Sequence, residues 1–122
     1  MQIEVLEQAF TVCQPSDPSA TVLPGGVVFF AQTDEETSLV CQSAFAPAQT
    51  RAREDGWRAF RVRGALDFAL VGVLASLSSL LAAQNISIFA VSTYRTDYIF
   101  VKEESLDRAL SALADAGYSI LK

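Results

Sequence analysis

Residues 57–121 carry the pattern that decides the fold, and they read WRAFRVRGALDFALVGVLASLSSLLAAQNISIFAVSTYRTDYIFVKEESLDRALSALADAGYSIL. Two helical segments alternate with four short strand-like runs in this stretch, in the order strand, helix, strand, strand, helix, strand. The connections are only a few residues long. Short connections keep consecutive elements adjacent in space, so the pattern leaves few alternatives to one small α+β domain.

The first helical segment carries most of the information about assembly. From Phe68 to Ala83 it contains no charged residue, and Asp67 precedes it where an N-cap is expected. A helix that is apolar on most of its circumference has to be covered on more than one side, so we expect a sheet beneath it and another element, or a second subunit, above it. Four small residues at helical spacing mark the surface expected to meet that second subunit: Gly72, Ser76, Ser79 and Ala83.

Turn residues and periodicity place the remaining elements of this half. Asn85 tolerates a positive φ and is expected to end the first helix, and Gly117 is expected to end the second. The run from Ile86 to Thr93 and the run from Tyr98 to Val101 predict an antiparallel hairpin. The resulting βαββαβ order predicts a ferredoxin-like fold, in which four antiparallel strands carry two helices on one face.

The first half of the chain is strand-rich and contains no long helix. The expected strands are Ile3 to Val12, Val27 to Thr33 and Thr37 to Gln42. A short helix within Ala44 to Asp55 stays an open alternative. Without gaps, Phe29-Phe30-Ala31 matches Ile88-Phe89-Ala90 and Thr37 matches Thr96. We therefore expect residues 1–56 to be a degenerate, strand-rich repeat of the domain formed by residues 57–122.

Composition excludes several classes of function. Nine basic residues against 14 acidic residues give a net charge of -5, which disfavours nucleic acid and anionic lipid as partners. The chain has no histidine, so imidazole-based metal sites and histidine-dependent catalysis are excluded. No nucleophile stands beside a base and no pair of carboxylates marks a cleft, so we expect neither an enzyme nor a cofactor or metal site.

Cysteine usage and hydropathy predict a cytoplasmic protein. Cys13 and Cys41 lie in strand-like runs without the spacing of a metal site, and we expect buried, reduced thiols. The first residues lack the basic start and apolar core of a secretory signal. The apolar run after Asp67 is shorter than the roughly 20 residues that a membrane-spanning helix needs.

The turn from Gly64 to Phe68 is the best candidate for binding. Free amides at a helix N-terminus can hold the carboxylate of a small metabolite, and Asp67 could face its ammonium group. Asp67 could equally serve only as a helix cap. Asp97 stands at the start of a strand, where aspartate is disfavoured, and either binds a ligand or pairs with Arg95.

Three motifs of the second half, FRVRGALDF at 60–68, ISIFAVSTY at 86–94 and TDY at 96–98, resemble the ACT domain. The likeness is strongest to small stand-alone ACT proteins related to the regulatory domains of aspartate kinase and to the CASTOR arginine sensors. The resemblance implies a non-catalytic regulatory protein that binds a free amino acid between paired ACT units, here in a homodimer. It selects these ligand-binding residues: Leu66, Asp67, Phe68, Ser87, Ile88 and Phe89, with Thr93 and Asp97 as further candidates.

An alternative function stays open at this point. The apolar first helix could exist only for assembly, in which case the protein would be an oligomerisation or protein-interaction module with a vestigial ligand pocket.

Overall fold

The protein was analysed as a computed structural model that describes residues 1–20, 23, 25–63 and 72–122. Seven strands and two α-helices lie within the described residues. The strands are β1 (Gln2–Pro15), β2 (Phe29–Gln32), β3 (Thr37–Gln42), β4 (Thr50–Val62), β5 (Ile88–Ser92), β6 (Asp97–Lys102) and β7 (Ser119–Leu121), and the helices are α1 (Val73–Ala83) and α2 (Leu106–Asp115). None of the helices in the described part of the chain has the length and hydropathy to cross a bilayer.

The chain forms two compact units. The larger unit contains Met1–Glu7 and Arg58–Lys122, and the smaller unit contains Gln8–Trp57. Because β1 and β4 are long, each of these strands contributes residues to both units. This division differs from a simple cut after residue 56, since the first residues of the chain belong with the larger unit.

The larger unit contains the expected order of strand, helix, strand, strand, helix, strand, with one additional strand in its sheet. Its strands lie in the order β7, β1, β4, β6, β5. The hairpin of β5 and β6 is antiparallel, as predicted. β7, expected to complete a sheet of four antiparallel strands, instead pairs in parallel with the beginning of β1, where Ile3 lies opposite Ile120. Local sequence patterns fix a strand but not its pairing partner, which explains the difference.

Both helices cover the same hydrophobic core. Leu77 and Leu81 of α1 and Leu113 of α2 are fully buried. The strand residues that meet them are spaced by two along their strands, so that they share one face of the sheet. These strand residues are Phe60 and Val62 of β4 and Ile99 and Val101 of β6.

The beginning of α1 differs from the prediction. The helix begins at Val73, and its N-cap is Gly72 with φ of 84°, a left-handed conformation that a continuous helix from Phe68 could not contain. The predicted N-cap, Asp67, lies outside the described residues. The ends of the helices are as predicted, since Asn85 has φ of 58° and Gly117 has φ of 102°.

The smaller unit is built from β2, β3 and parts of β1 and β4. The short helix that the sequence left open within Ala44 to Asp55 does not form as an α-helix, because β4 already begins at Thr50 and only a 3-10 turn, Ser43–Phe45, precedes it. Cys13 and Cys41 are buried around Leu39, as predicted for both thiols. Burial raises the pKa of each thiol, so neither is an activated nucleophile.

The hairpins of the two units have the same register. Phe29 lies opposite Val40 in the first hairpin, and Phe89 lies opposite Phe100 in the second, so adding 60 to each number of the first pair gives the second. The ungapped sequence match, which used a shift of 59, was therefore wrong by one residue. In β3 and in β6 the third, fourth and fifth residues are the buried ones, and a 3-10 turn follows each strand.

Candidate ligand site

A cleft in the larger unit lies where the end of β4, the beginning of β1 and the turn between β5 and β6 meet. Its volume is about 450 Å³. Three of its side chains are guanidinium groups, and we call it the arginine cleft. It is lined by Glu4, Arg61, Val62, Arg63, Thr93, Arg95, Thr96 and Tyr98.

Glu4 joins two of the arginines. Its Oε1 accepts a hydrogen bond of 2.8 Å from Arg61 Nε, and its Oε2 accepts one of 3.1 Å from Arg63 Nη1. Arg61 Nη1 also donates to the hydroxyl of Tyr98 at 2.8 Å, and its guanidinium carbon lies 5.6 Å from the centre of the tyrosine ring. Arg61 is therefore held in place on two sides, whereas the Arg63 side chain is 54% exposed.

These contacts fix the charge of the cleft. The hydrogen bond from Arg61 is the main cause that lowers the pKa of Glu4, so this carboxylate is ionised at neutral pH. The hydrogen bonds with Tyr98 and Glu4 raise the pKa of Arg61, which is charged at any physiological pH. Among the described residues, three guanidinium groups and one carboxylate line the cleft, which gives this set a surplus of two positive charges.

A buried threonine fixes the hairpin turn against β4. Thr96 Oγ1 donates a hydrogen bond of 2.8 Å to the carbonyl oxygen of Val62. Thr93 closes the turn, since its amide donates to the carbonyl of Thr96 at 2.8 Å and its hydroxyl donates to the same oxygen at 3.0 Å. These bonds hold Arg95, at the tip of the turn, beside the end of β4.

The residues predicted to bind the ligand lie in separate places. Leu66, Asp67 and Phe68 are outside the described residues. Ser87 is exposed just before β5, Ile88 packs against the core of the larger unit, and Phe89 stacks on Phe100 with ring centres 4.5 Å apart. These positions do not test whether the three residues bind a ligand, so that role stays a prediction.

The other two predicted residues are Thr93, just after β5, and Asp97, the first residue of β6. They lie at the opposite end of this hairpin, about 15 Å along the strand from Ile88. Thr93 lines the arginine cleft. Asp97 Oδ1 accepts a hydrogen bond of 2.6 Å from Ser92 Oγ, the residue opposite it in the hairpin. Ser92, not Arg95, is therefore the partner of Asp97.

Sequence reasoning missed most of the arginine cleft. The motif Arg61-Val62-Arg63 held the available signal, since alternation in a strand directs both arginines to one face and the buried valine to the other. The contribution of Glu4 had no such signal, because it depends on the position of β1 in the sheet.

The small residues predicted as an interface lie together on α1. Gly72, Ser76, Ser79 and Ala83 are all exposed and line a groove of about 660 Å³. We call it the small-residue groove. Its other lining residues are Ala75, Leu80, Ala116 and Tyr118.

A family model described as the ACT domain matches residues 52–115, which is more than half of the chain. The chain belongs to the ACT domain family. The match covers most of β4, both helices, the hairpin of β5 and β6 and residues 64–68. None of the curated proteins compared with this ACT protein matches it.

Solved structures agree with the family. A protein from Agobacterium tumefaciens is 30% identical over 98% of this chain and 91% of its own, with a TM-score of 0.84. A Vibrio cholerae protein of unknown function, described as a possible transport protein, is 20% identical over 92% of this chain and 86% of its own, with a TM-score of 0.68. The ligand-free regulatory subunit of aspartate kinase from Thermus thermophilus is 9% identical over 96% and 97%, with a TM-score of 0.68.

The predicted fold class is confirmed by these comparisons. The ACT match and the likeness to aspartate kinase regulatory structures agree with a ferredoxin-like α+β fold. The predicted relation to the CASTOR arginine sensors stays a prediction.

The buried hydrogen bond of Thr96 is expected to stabilise the larger unit. Thr96→Val keeps the shape of the side chain but leaves the carbonyl of Val62 without this donor, so we expect the free energy of unfolding to fall by about 1–2 kcal/mol. Urea unfolding followed by circular dichroism measures the change. The control is Thr37→Val, the same substitution at the first residue of β3. If Thr96→Val lowers the free energy of unfolding no more than this control does, the proposed role of Thr96 is contradicted.

The ion pairs of Glu4 predict a pH dependence of stability. Because the pKa of Glu4 is lower in the folded protein than its ordinary value of 4.5, its contribution is present above pH 4.5 and is lost as the pH falls through the folded-state value. Glu4→Gln should lower the melting temperature at pH 7, and the difference from the parent protein should shrink below pH 4.5. Glu7→Gln, an exposed position in the same strand, is the control. A difference that stays constant with pH would exclude this explanation.

Proposed function

We propose that this ACT protein is a non-catalytic regulatory protein that binds a free amino acid at an interface between ACT units. The ACT match over residues 52–115 carries the proposal, because it includes residues 64–68 and the start of β5, the two places that the predicted pocket needs. One of its structural relatives is named as the regulatory subunit of an aspartate kinase. A regulatory, small-molecule-binding role fits both findings.

Asp67 has the central place in the proposed pocket. The cap of α1 is Gly72, so the described helix does not need Asp67 for that purpose. The carboxylate of Asp67 would pair with the ammonium group of the ligand, a charge-assisted contact that also sets its orientation. Leu66 and Phe68, with Ser87, Ile88 and Phe89, would form the remaining wall, and Thr93 and Asp97 belong to the proposal as outer residues.

A second ACT-like unit would complete this pocket. The common register and burial of the two hairpins support a degenerate ACT-like repeat in residues 1–56. The repeat contains no α-helix among its described residues, so it offers no equivalent of α1 for a mirrored pocket. We therefore propose a homodimer, in which the ACT unit of a second copy supplies the missing side. The composition supports a cytoplasmic setting for it.

The chemistry of the described residues supports a role without catalysis. Both thiols are buried with a raised pKa, and the chain has no histidine to serve as a general base. The described residues also contain no cluster of three side chains suited to a metal ion. Binding is the activity that these residues support best.

An amino-acid panel tests the proposal directly. Isothermal titration with the common amino acids should give saturable heat for at least one of them, and Asp67→Ala should weaken that affinity about tenfold or more, because it removes a charge-assisted hydrogen bond. Asp107→Ala, an exposed change on α2, should leave the affinity unchanged. Absence of binding across the whole panel would contradict the proposed function.

The small-residue groove supports a second candidate function, an oligomerisation module with a vestigial pocket. Ser79 lies in the middle of the groove, and Ser79→Leu should fill the space that a second copy needs and shift the protein towards monomer in sedimentation velocity. Gly72→Leu would be a poor test, since φ of 84° strains any larger residue there. Ser111→Leu on the exposed side of α2 is the control. Unchanged association in Ser79→Leu would exclude this groove as the interface.

A further inference from the structure

We propose that the arginine cleft is a binding site for a small organic anion with at least two negative charges, a site that has only Thr93 in common with the amino-acid pocket of the proposed function. The chemical class is a compact dicarboxylate or phosphate ester. The reasons are the charge of the cleft, the free donors of two of its arginines and the different chemistry of the corresponding cleft in the smaller unit.

The charge of the cleft is opposite to that of the whole chain. The chain has a net charge of -5, whereas the cleft contains three arginines and one glutamate. Like charges held together repel each other, so a surplus of this kind is normally matched by neighbouring carboxylates. Among the described lining residues, the single negative charge of Glu4, although shared between Arg61 and Arg63, offsets only one of the three positive charges. A dianion would balance the remaining two.

Arg63 and Arg95 have the free donors that such an anion requires. Each guanidinium group has five N–H donors in a planar fork that fits carboxylate and phosphate oxygens. Arg63 uses Nη1 for Glu4 and is otherwise half exposed. Arg95 is exposed and forms no ion pair with a carboxylate of the described residues. Thr93 and Tyr98 also line the cleft.

The smaller unit contains a corresponding cleft of about 230 Å³. Its hairpin turn has the same geometry, since the amide of Thr33 donates to the carbonyl of Glu36 at 2.9 Å as that of Thr93 does to Thr96. With the shift of 60, Thr96 corresponds to Glu36 and Tyr98 to Ser38. The lining residues are Val12, Cys13, Gln14, Glu36, Ser38, Ala52, Arg53 and Glu54.

The corresponding cleft shows that this backbone arrangement does not need three arginines, since its described lining contains one arginine, Arg53, and two carboxylates, Glu36 and Glu54. The buried Cys13 is flanked by Val12 and Gln14, where the buried Val62 is flanked by Arg61 and Arg63. Arg95 corresponds to Glu35 by the same shift of 60. A hydrogen bond from Ser38 is the main cause that lowers the pKa of Glu36, so this cleft contains a stable negative charge. Among the described lining residues of the two clefts, a surplus of positive charge is therefore found only in the larger unit.

Size agrees with a small ligand. The arginine cleft has about twice the volume of its counterpart, 450 Å³ against 230 Å³, and lies within the range typical of small-molecule sites. A dianion with two separated charged groups could contact Arg63 and Arg95 at once. A neutral amide of the same shape would lack the charge that both arginines require.

Isothermal titration with two probes tests the proposal. Malate represents the dicarboxylates, glycerol 3-phosphate represents the phosphate esters, and succinamide is the uncharged control. We expect one of the two dianions to bind once per chain, more weakly at high salt because the exposed arginines are screened, and succinamide not to bind. The dianion that binds more tightly identifies the source of the negative charge.

Two variants assign the binding to the cleft. Arg95→Gln should weaken the affinity for the bound probe about tenfold, and Arg63→Gln should act in the same direction. Arg108→Gln, an exposed arginine of α2, should change nothing. Within the described residues the side chain of Arg95 forms no hydrogen bond or ion pair. Arg95→Gln should therefore keep the melting temperature of the parent protein, and this control separates loss of binding from loss of folding.

The proposal is overturned if neither dianion binds, or if binding persists in the folded double variant of Arg63→Gln and Arg95→Gln. It fails independently of the proposed function. If the protein binds an amino acid but neither dianion, the proposed function stands and the anion site is excluded. If it binds a dianion through Arg95 but no amino acid, the anion site stands and the proposed function is contradicted.

Discussion

The two-residue period of β4 is the constraint on which both the core and the cleft depend. In the segment from Phe60 to Arg63, alternate side chains point to opposite faces of the sheet. Phe60 and Val62 therefore lie in the core under the two helices, and Arg61 and Arg63 line the arginine cleft. A shift of one residue in the register of β4 would exchange the two sets, placing charges in the core and apolar groups in the cleft. Packing under the helices thus positions the arginines.

The two hairpins show how one backbone arrangement can have different chemistry. Their registers and burial patterns agree, which follows from the need of β3 and β6 to bury three consecutive residues. The exposed residues at their tips are free of that need, and they differ in charge, with Glu35 in one and Arg95 in the other. A shared fold therefore does not imply a shared ligand, and any site has to be argued from its own side chains.

The amino-acid pocket proposed from ACT membership and the arginine cleft of the larger unit are different surfaces, which have only Thr93 in common. The proposed amino-acid pocket depends on residues 66–68 and on a neighbouring unit, whereas the described lining of the arginine cleft comes from one unit. The small-residue groove on α1 is a third surface. Arg63 directly precedes residues 64–68 in the chain, so a ligand in the cleft and a ligand bound by residues 66–68 would contact neighbouring parts of the same chain segment.

The sequence by itself determined the order of elements, the hairpins, the ends of both helices at Asn85 and Gly117 and the burial of the cysteines. These features depend on local periodicity and on the conformational range of single residues. Only the tertiary structure decided that β1 enters the sheet beside β7, that α1 begins at Val73 after the N-cap Gly72 and that Glu4 meets Arg61 and Arg63. Pairing between distant segments depends on which surfaces fit together in three dimensions, and a linear pattern contains no measure of that fit.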